Sequence, residues 1–430
     1  MGVEFQFVVF IGAVVFAYAL VAKLLARSPI SGPMFFATAG LVAYWIGLIP
    51  AETVTFTETI ALILELTLAL VLFTDSMTLN LGSWRDDGEL PSRLLSFGMP
   101  VMIVLGAVAA AIVFPDLDLW GAAIVATILA PTDAALGRPV VTNERVPLRI
   151  REALNIESGL NDGIALPFLL FFMAGAEAEE GANLFALFGS SVGWALVAGV
   201  GIGWASARAV VWFSGRGWMP GVWRQISVVA VAFVTYFVAD EIGGSGFIAA
   251  FVAGLVFGRV TRDRDFSSIG EFGDTLAQFL TMIAFFIFGG LLLAPRMGSV
   301  TLQILLYAGL SLAVVRMIAV AVSMIRSDLR PPTIAYMGWF GPRGLASIIF
   351  GTILVEEAKI PNTDLIVTIM AVTVALSILF HGITAYSGSN AYADWYEKRG
   401  GDEADMTESE DIESPIARPR ITGPGTEEPD

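Results

Sequence analysis

The chain is dominated by apolar segments that are long enough to cross a lipid bilayer. A membrane-spanning helix needs about 20 mostly apolar residues, and of the 430 residues 56% are hydrophobic and only 15% charged. A soluble domain carries roughly 25% charged residues. Candidate spans lie at roughly 5–25, 33–50, 58–77, 94–114, 119–136, 153–173, 184–210, 225–240, 243–260, 271–294, 300–322, 332–354 and 364–387. The sequence therefore predicts an all-α polytopic membrane protein with about 13 transmembrane helices.

The basic residues orient these spans in the membrane. If the N-terminus lies outside, 20 of the 24 lysines and arginines fall in cytoplasmic loops or the C-terminal tail, whereas the external loops are acidic. Positive charge accumulates on the cytoplasmic side of membrane proteins. We therefore expect a multi-pass protein of the plasma or inner membrane, with its N-terminus outside and its C-terminus in the cytoplasm.

Composition excludes several functional classes. The chain has no cysteine, so thiolate metal sites and cysteine nucleophiles are absent, and its one histidine, His381, is too little for a zinc site or a Ser-His triad. The net charge of −16 disfavours nucleic-acid binding. We expect no cofactor and no nucleic-acid partner.

The C-terminal end differs in composition from the rest of the chain. From Gly400 to Asp430 ten acidic residues face only two arginines, and four prolines interrupt the segment. A segment with so few apolar residues cannot bury a core. The sequence predicts a transmembrane domain at residues 1–390 and an acidic, disordered cytoplasmic tail at residues 391–430.

The fifth span contains a helix-breaking proline beside two polar residues, in the order Pro131-Thr132-Asp133. Proline removes a backbone donor and disfavours helix just before it, so the helix is expected to unwind here. Unwound backbone inside a membrane is tolerated where it is buried in protein or lines a wet cavity. Thr132 and Asp133 would then offer oxygen ligands to a small cation. The alternative is a simple proline kink in which both side chains cap the following turn.

The sixth span carries ionisable groups near the bilayer centre. Glu157 and Asn161 are four residues apart, as are Ser158 and Asp162, so the spacing predicts one polar stripe on a helix face. Gly159 and Gly163 would let another backbone approach it. An ionisable side chain at this depth costs several kcal/mol and indicates function. The alternative is that the four groups only satisfy one another in a packed bundle.

The twelfth span is interrupted by Gly341-Pro342-Arg343-Gly344. A buried Arg343 needs a partner, and Glu157 is the candidate for an ion pair; the alternative is that Arg343 contacts backbone carbonyls alone. The two broken spans are the fifth and the twelfth, and an odd offset of seven makes them antiparallel. This predicts an inverted repeat whose broken helices cross at the substrate site.

Four further polar residues lie in the spans. Asp75, near the cytoplasmic end of span three, is a candidate to line a funnel, or else a solvated acid at a helix end. For Glu65, a proton path and a helix–helix hydrogen bond both remain open. We expect Arg316 to pair with an acid and His381 to lie at the membrane interface.

Together, the motifs 131–133, Glu-Ser-Gly-Leu-Asn-Asp-Gly at 157–163 and 341–344 resemble the signature of the monovalent cation/proton antiporters, the sodium/proton exchangers of the NhaP/NHE type. The resemblance implies a homodimer. It implies Na⁺ ligation by Asp162, Ser158 and Thr132. It also implies support from Asn161 and Asp133, and a Glu157–Arg343 bridge.

The expected activity is exchange of Na⁺ or Li⁺ for H⁺ by alternating access, with both ions competing for Asp162. Because Asn161 rather than a second acid precedes Asp162, one proton per cation is the simplest stoichiometry. The alternatives are K⁺/H⁺ or broad monovalent-cation exchange, a channel, and an intramembrane aspartyl protease that would use Asp133 and Asp162.

Overall fold

A computed structural model describes residues 3–25, 28–49, 58–79, 89–133, 136–177, 183–262, 268–357, 360–400 and 406–409. Within these ranges the regular secondary structure is helical. The helices are α1 (Val3–Leu25), α2 (Gly32–Trp45), α3 (Glu58–Thr78), α4 (Glu89–Val113), α5 (Leu119–Ile128), α6 (Arg138–Thr142), α7 (Leu148–Glu177), α8 (Leu184–Gly215), α9 (Gly221–Glu241), α10 (Gly246–Thr261), α11 (Glu271–Ser299), α12 (Leu302–Ser323), α13 (Pro331–Trp339), α14 (Leu345–Glu357) and α15 (Thr363–Glu397).

The predicted polytopic helical architecture is confirmed. Eight of the described helices are long and apolar enough to cross a membrane, and shorter apolar helices supply further spans. Each predicted span corresponds to one helix, except that span five ends in an unwound segment and span twelve is divided between α13 and α14.

Several helices begin at a residue whose side chain binds the first turn. A side-chain oxygen at this position replaces a missing intrahelical partner of a backbone N–H. The capping residues are Ser31 for α2, Asp118 for α5, Asn183 for α8, Ser245 for α10 and Thr301 for α12. The polar residues between apolar runs thus set where these spans start.

The two predicted interruptions meet in space. Helix α5 ends at Ile128, and Pro131–Asp133 have no helical structure; the second break separates Trp339 from Leu345. The backbone N–H of Asp133 donates to the carbonyl of Pro342 at 2.7 Å. Unwound backbone in a membrane must find hydrogen bonds outside its own helix. The two broken spans supply one such bond to each other where they cross.

Close helix packing depends on glycine where α3 meets α10. A Cβ atom at Gly254 would lie 2.3 Å from the carbonyl oxygen of Phe73, and one at Gly258 would lie 2.0 Å from that of Met77. No side chain fits at these distances, so the two glycines, four residues apart, let the backbones approach.

Ordered structure continues past the predicted domain boundary at residue 390. Helix α15 continues to Glu397, and Arg145 forms ion pairs with Asp394 and Glu397 beyond the apolar span. Part of the predicted disordered tail is also packed. Glu408 is 1% exposed, and its carboxylate accepts hydrogen bonds from the backbone N–H of Arg330 and the hydroxyl of Thr333.

These contacts place Glu408 at the first turn of α13, where N–H groups lack intrahelical partners and attract an anionic side chain. Residues 401–405 and 410–430 of the predicted tail lie outside the described residues.

Candidate functional site

Helix α7 brings Asn161 and Asp162 against the break in span five. The side-chain amide of Asn161 donates to the hydroxyl of Thr132 at 2.6 Å. Asp162 is 9% exposed, and its Oδ1 atom accepts no hydrogen bond from a described residue; Oδ1 of Asn161 is likewise buried without a partner. A buried oxygen without a donor is costly. The Asp162 oxygen is therefore suited to receive a proton, and both oxygens are suited to ligate a cation.

The other predicted cation ligands surround a small pocket next to this pair. The pocket lies between the crossing and α6 and is lined by Thr132, Asp133, Gly137, Val140, Val141, Leu154, Ser158, Phe340 and Pro342. Ser158 directs its hydroxyl to the carbonyl of Asn155 on its own helix at 3.2 Å. Thr132, Asp133 and Ser158 thus line the same pocket, and Asn161 joins them through Thr132.

Two further acids lie close enough to act electrostatically on Asp162. They are Asp133, in the span-five break, and Asp75, on α3. The Asp75 carboxylate also approaches Gly159 of α7, where an added Cβ would lie 3.8 Å from Oδ2. Asp75 is half-buried beside the site. Its predicted role in a cytoplasmic funnel stays a prediction.

Asp133 has a clear structural role at the crossing. Its Oδ2 atom accepts a hydrogen bond from the backbone N–H of Leu345 at 2.9 Å. Leu345 is the first residue of α14, whose N-terminal amides lack intrahelical partners. The negative carboxylate therefore caps the second half of the other broken span. Close packing accompanies this contact, because a Cβ at Gly344 would overlap Asp133.

The predicted ion pair between Glu157 and Arg343 was wrong, because Glu157 pairs with Arg316 of α12. Arg316 donates from Nη1 to Oε1 at 2.8 Å and from Nη2 to Oε2 at 2.9 Å. The expectation that Arg316 pairs with an acid is thus met. The bidentate geometry satisfies both carboxylate oxygens, so Glu157 has little capacity left for a second arginine.

Arg343 adopts the alternative arrangement, in which it holds its own backbone. Its Nη1 donates to the carbonyl of Gly341 at 2.9 Å, and Nη2 contacts the Met102 sulfur at 3.3 Å. Among the described residues it has no carboxylate partner. Arg343 is fully buried, so its guanidinium group lies inside the protein at the break of span twelve.

The polar stripe of span six is divided between two neighbours. Glu157 reaches α12, whereas Asn161 reaches the span-five break. The expected approach of another backbone at Gly163 was wrong, since the ring of Phe251 occupies that space, within 2.5 Å of an added Cβ.

Glu65 and His381 also find specific partners. Glu65 accepts a hydrogen bond from the Tyr236 hydroxyl at 2.9 Å, which joins α3 to α9. His381 is 1% exposed, so its predicted position at the membrane interface was wrong. Its ring bonds the carbonyl of Trp339, at the end of α13. The i, i+4 spacing of Ser377 and His381 in an apolar helix is the sequence signal that indicates this buried pair.

Comparison with known proteins identifies related chains over nearly the whole transmembrane region. A family model described as "Sodium/hydrogen exchanger, transmembrane" matches residues 11–386. The K(+)/H(+) antiporter NhaP of Alkalimonas amylolytica is 27% identical over 378 residues, covering 86% of this chain and 64% of the relative. The K(+)/H(+) antiporter NhaP2 of Shewanella sp. (strain ANA-3) is 28% identical and covers 76% and 56%, respectively. The chain thus spans less than two thirds of either relative.

The fold also matches a solved structure. The sodium proton antiporter MjNhaP1 from Methanocaldococcus jannaschii superposes with a TM-score of 0.73 at 18% identity, covering 91% of this chain and 100% of that one.

Proposed function

Since the chain belongs to the sodium/hydrogen exchanger family, a family of transporters and not enzymes, we propose that it exchanges a monovalent cation for protons across the membrane. The observation that carries this proposal is the buried carboxylate of Asp162. It lies beside Asn161, which is bonded to Thr132 in an unwound segment. A carboxylate surrounded by hydroxyl and carbonyl oxygens suits a small hard cation.

The chemistry is competition for one carboxylate. Deprotonated Asp162 supplies the charge that balances the cation, and Thr132 and Ser158 supply neutral oxygens. Protonation of Asp162 removes that charge and releases the cation. A bare carboxylate is costly to move through a low-dielectric barrier, whereas the protonated and cation-loaded forms are neutral. The site therefore crosses the membrane only when loaded, which couples the two fluxes.

The first candidate substrate is Na⁺ or Li⁺, exchanged for one proton in an electroneutral cycle. The residue that precedes Asp162 is the neutral Asn161, so a single acid at this position exchanges its proton. K⁺ is the second candidate, because the Alkalimonas and Shewanella relatives are named K(+)/H(+) antiporters. The fold relative from M. jannaschii is named a sodium proton antiporter.

Two further proposals concern the protein in its membrane. We propose that the chain forms a homodimer in the plasma or inner membrane. We also propose that its N-terminus lies outside and its C-terminus lies in the cytoplasm. The asymmetric distribution of basic residues supports this orientation. Labelling of single cysteines introduced into this cysteine-free chain tests it, since a cytoplasmic position reacts only after the membrane is made permeable.

The experiment that tests the function is proton flux in proteoliposomes, followed with an internal pH dye. Pulses of Na⁺, Li⁺, K⁺ and Ca²⁺ are compared for the unmodified protein and for Asp162→Asn. We expect a monovalent cation to drive proton movement and the Asn variant to be inactive. The control is Asp364→Asn, since Asp364 is an acid with an exposed side chain at the start of α15. Normal exchange by Asp162→Asn would remove this carboxylate from the mechanism.

A further inference from the structure

Helix α15 carries a polar stripe within its apolar, buried length. Ser377, His381 and Thr384 follow each other at spacings of four and three residues, so they occupy one helix face. Ser377 and His381 are 0% and 1% exposed. Polar groups buried at this depth are costly unless they are hydrogen-bonded. Each of the three side chains contacts the interrupted region of span twelve.

Ser377 and His381 bind opposite ends of that interruption. The backbone N–H of Arg343 donates to Oγ of Ser377 at 2.6 Å, and Nε2 of His381 lies 2.9 Å from the carbonyl oxygen of Trp339. Nδ1 of the same ring lies 3.2 Å from Oγ of Ser377 and 3.1 Å from the Ser377 carbonyl oxygen. A carbonyl oxygen only accepts, so either ring nitrogen, when protonated, donates to the carbonyl beside it. With the proton on Nε2, Nδ1 accepts from the Ser377 hydroxyl, and a continuous chain of hydrogen bonds joins residue 339 to residue 343 through α15.

The aromatic ring at the end of α13 reinforces this arrangement. The indole N–H of Trp339 donates to Oγ1 of Thr384 at 3.0 Å, and its ring packs against the imidazole of His381 with centroids 5.3 Å apart. Trp339 is therefore held at both its carbonyl and its side chain. The two contacts define the end of α13 relative to α15.

The same interruption is in contact with the proposed cation site. The carbonyl of Pro342 accepts from the N–H of Asp133 at 2.7 Å. The next residue back along the chain, Thr132, accepts from Asn161 at 2.6 Å, and Asp162 follows Asn161. A shift of the span-twelve break would therefore move Asp133 and Thr132 with it.

We propose that Ser377 and His381 are positioning residues that set the geometry of the cation site through the span-twelve break. Unwound peptide has no intrahelical partner for its N–H and C=O groups, so the groups that bind them decide where it lies. The proposal rests on the proposed function, because the geometry it sets is that of the ligands around Asp162.

The test measures the apparent KM for the driving cation and the maximal rate in proteoliposomes. Ser377→Ala leaves the buried N–H of Arg343 without its Ser377 acceptor. His381→Leu removes one of two groups that contact the Trp339 carbonyl, the other being the backbone N–H of Gly341 at 2.9 Å. We expect the cation KM to rise about tenfold or more in Ser377→Ala, the size of effect that follows when a buried polar group loses its partner, and to rise by a smaller factor in His381→Leu. Ser377→Thr retains a hydroxyl, and His381→Gln retains a side-chain N–H donor. Both variants should therefore have a KM close to that of the unmodified protein.

The matched control is Ser387→Ala, since Ser387 is exposed on the same helix and bonds only locally, to the carbonyl of Thr384. It should leave the KM unchanged. If the stripe were only packing, Ser377→Ala and His381→Leu would lower the amount of folded protein or the maximal rate while the KM stayed constant. That result would overturn the proposal. Should Ser377→Ala not fold, Ser377→Cys gives the same test, because a thiol is a weak acceptor.

A second readout separates this proposal from the proposed exchange activity. The rise in melting temperature with increasing Na⁺, Li⁺ or K⁺ reports binding to the purified full-length chain without transport. If no cation drives proton flux with the unmodified protein, the exchange proposal fails, while this titration still measures the site. The midpoint is the cation concentration that gives half of the rise in melting temperature. A midpoint that is higher in Ser377→Ala and close to the unmodified value in Ser377→Thr supports positioning. Equal midpoints in all variants reject it.

Discussion

Arg316 of α12 and Glu157 of α7 form a bidentate ion pair inside the helical bundle, with both N–O distances between 2.8 and 2.9 Å. Their side chains are only 1% and 6% exposed. Arg316 also donates to the carbonyl of Met337 in α13, at 3.4 Å. The pair therefore joins three helices and balances the charge of a residue only five positions from Asp162.

A double-mutant cycle should show strong coupling between these two residues. Glu157→Gln leaves Arg316 buried without a counter-charge, and Arg316→Met does the same to Glu157. Each single substitution should destabilise the protein by about 3–5 kcal/mol. The double variant should lose clearly less than the sum, because no unpaired charge remains. Thermal unfolding in detergent measures all four proteins.

The control for this cycle is the pair Arg296 and Asp364, in which the Asp364 side chain is 81% exposed. A solvated pair contributes about 0–1 kcal/mol, so its cycle should be nearly additive. Additivity for Glu157 and Arg316 as well would mean that they are not energetic partners.

Transport should move no net charge. With one exchanging carboxylate, a cycle carries one cation in one direction and one proton in the other. A Na⁺ or K⁺ gradient should therefore drive proton flux without building a membrane potential. When Na⁺ drives the flux, clamping the potential with valinomycin and K⁺ should not accelerate it. A gradient-driven potential, detected with a voltage-sensitive dye, would contradict the one-carboxylate cycle and implicate another acid, with Asp133 and Asp75 as the first candidates.

Asp133 should matter more as a helix cap than as a charge. Asp133→Ala removes the acceptor for the N–H of Leu345 and should lower stability by about 0.5–2 kcal/mol, the usual cost of losing a cap. Asp133→Asn keeps a side-chain oxygen, so it should retain most of that stability and measurable exchange. Thermal unfolding and proton flux of the two variants are compared. If Asp133→Asn is as inactive as Asp162→Asn while still folded, the charge of Asp133 takes part in transport.

The packed part of the tail should stabilise the start of α13. Glu408→Ala removes the acceptor of the Arg330 N–H and the Thr333 hydroxyl and should cost about 1 kcal/mol, a typical capping contribution. Thr407→Ala is the matched control, because Arg149 contacts the backbone carbonyl of Thr407, which the substitution retains. Thermal unfolding measures both. Equal melting temperatures for Glu408→Ala and the unmodified protein would show that the segment does not hold α13.

Much of the architecture follows from the sequence because its causes are local. The length of an apolar run determines whether a helix can span a membrane, and Pro131 and Pro342 disturb helices through their own covalent structure. The polar residues of α7 were identifiable for a similar reason. Burying an ionisable side chain such as Asp162 in a bilayer costs free energy whichever helices surround it, so its presence there indicates a function.

The partners of these residues depended on the tertiary structure. Two buried arginines, Arg316 and Arg343, were available to Glu157, and spacing along one helix does not reveal which neighbour faces it. Packing placed α12 against Glu157 and left Arg343 to the carbonyl of Gly341.

His381 and Glu408 show the same division between sequence and structure. Its position near the end of span thirteen predicted that His381 lies at the membrane interface, and composition predicted that Glu408 lies in a disordered tail. Each is instead buried against an end of α13. The sequence by itself determined the spans, the breaks and the buried acid proposed for the site, because these depend on chain chemistry and bilayer thickness. Only the tertiary structure decided which groups pair, because a hydrogen bond or ion pair requires two atoms within about 3 Å, and distant segments come that close only after the helices pack.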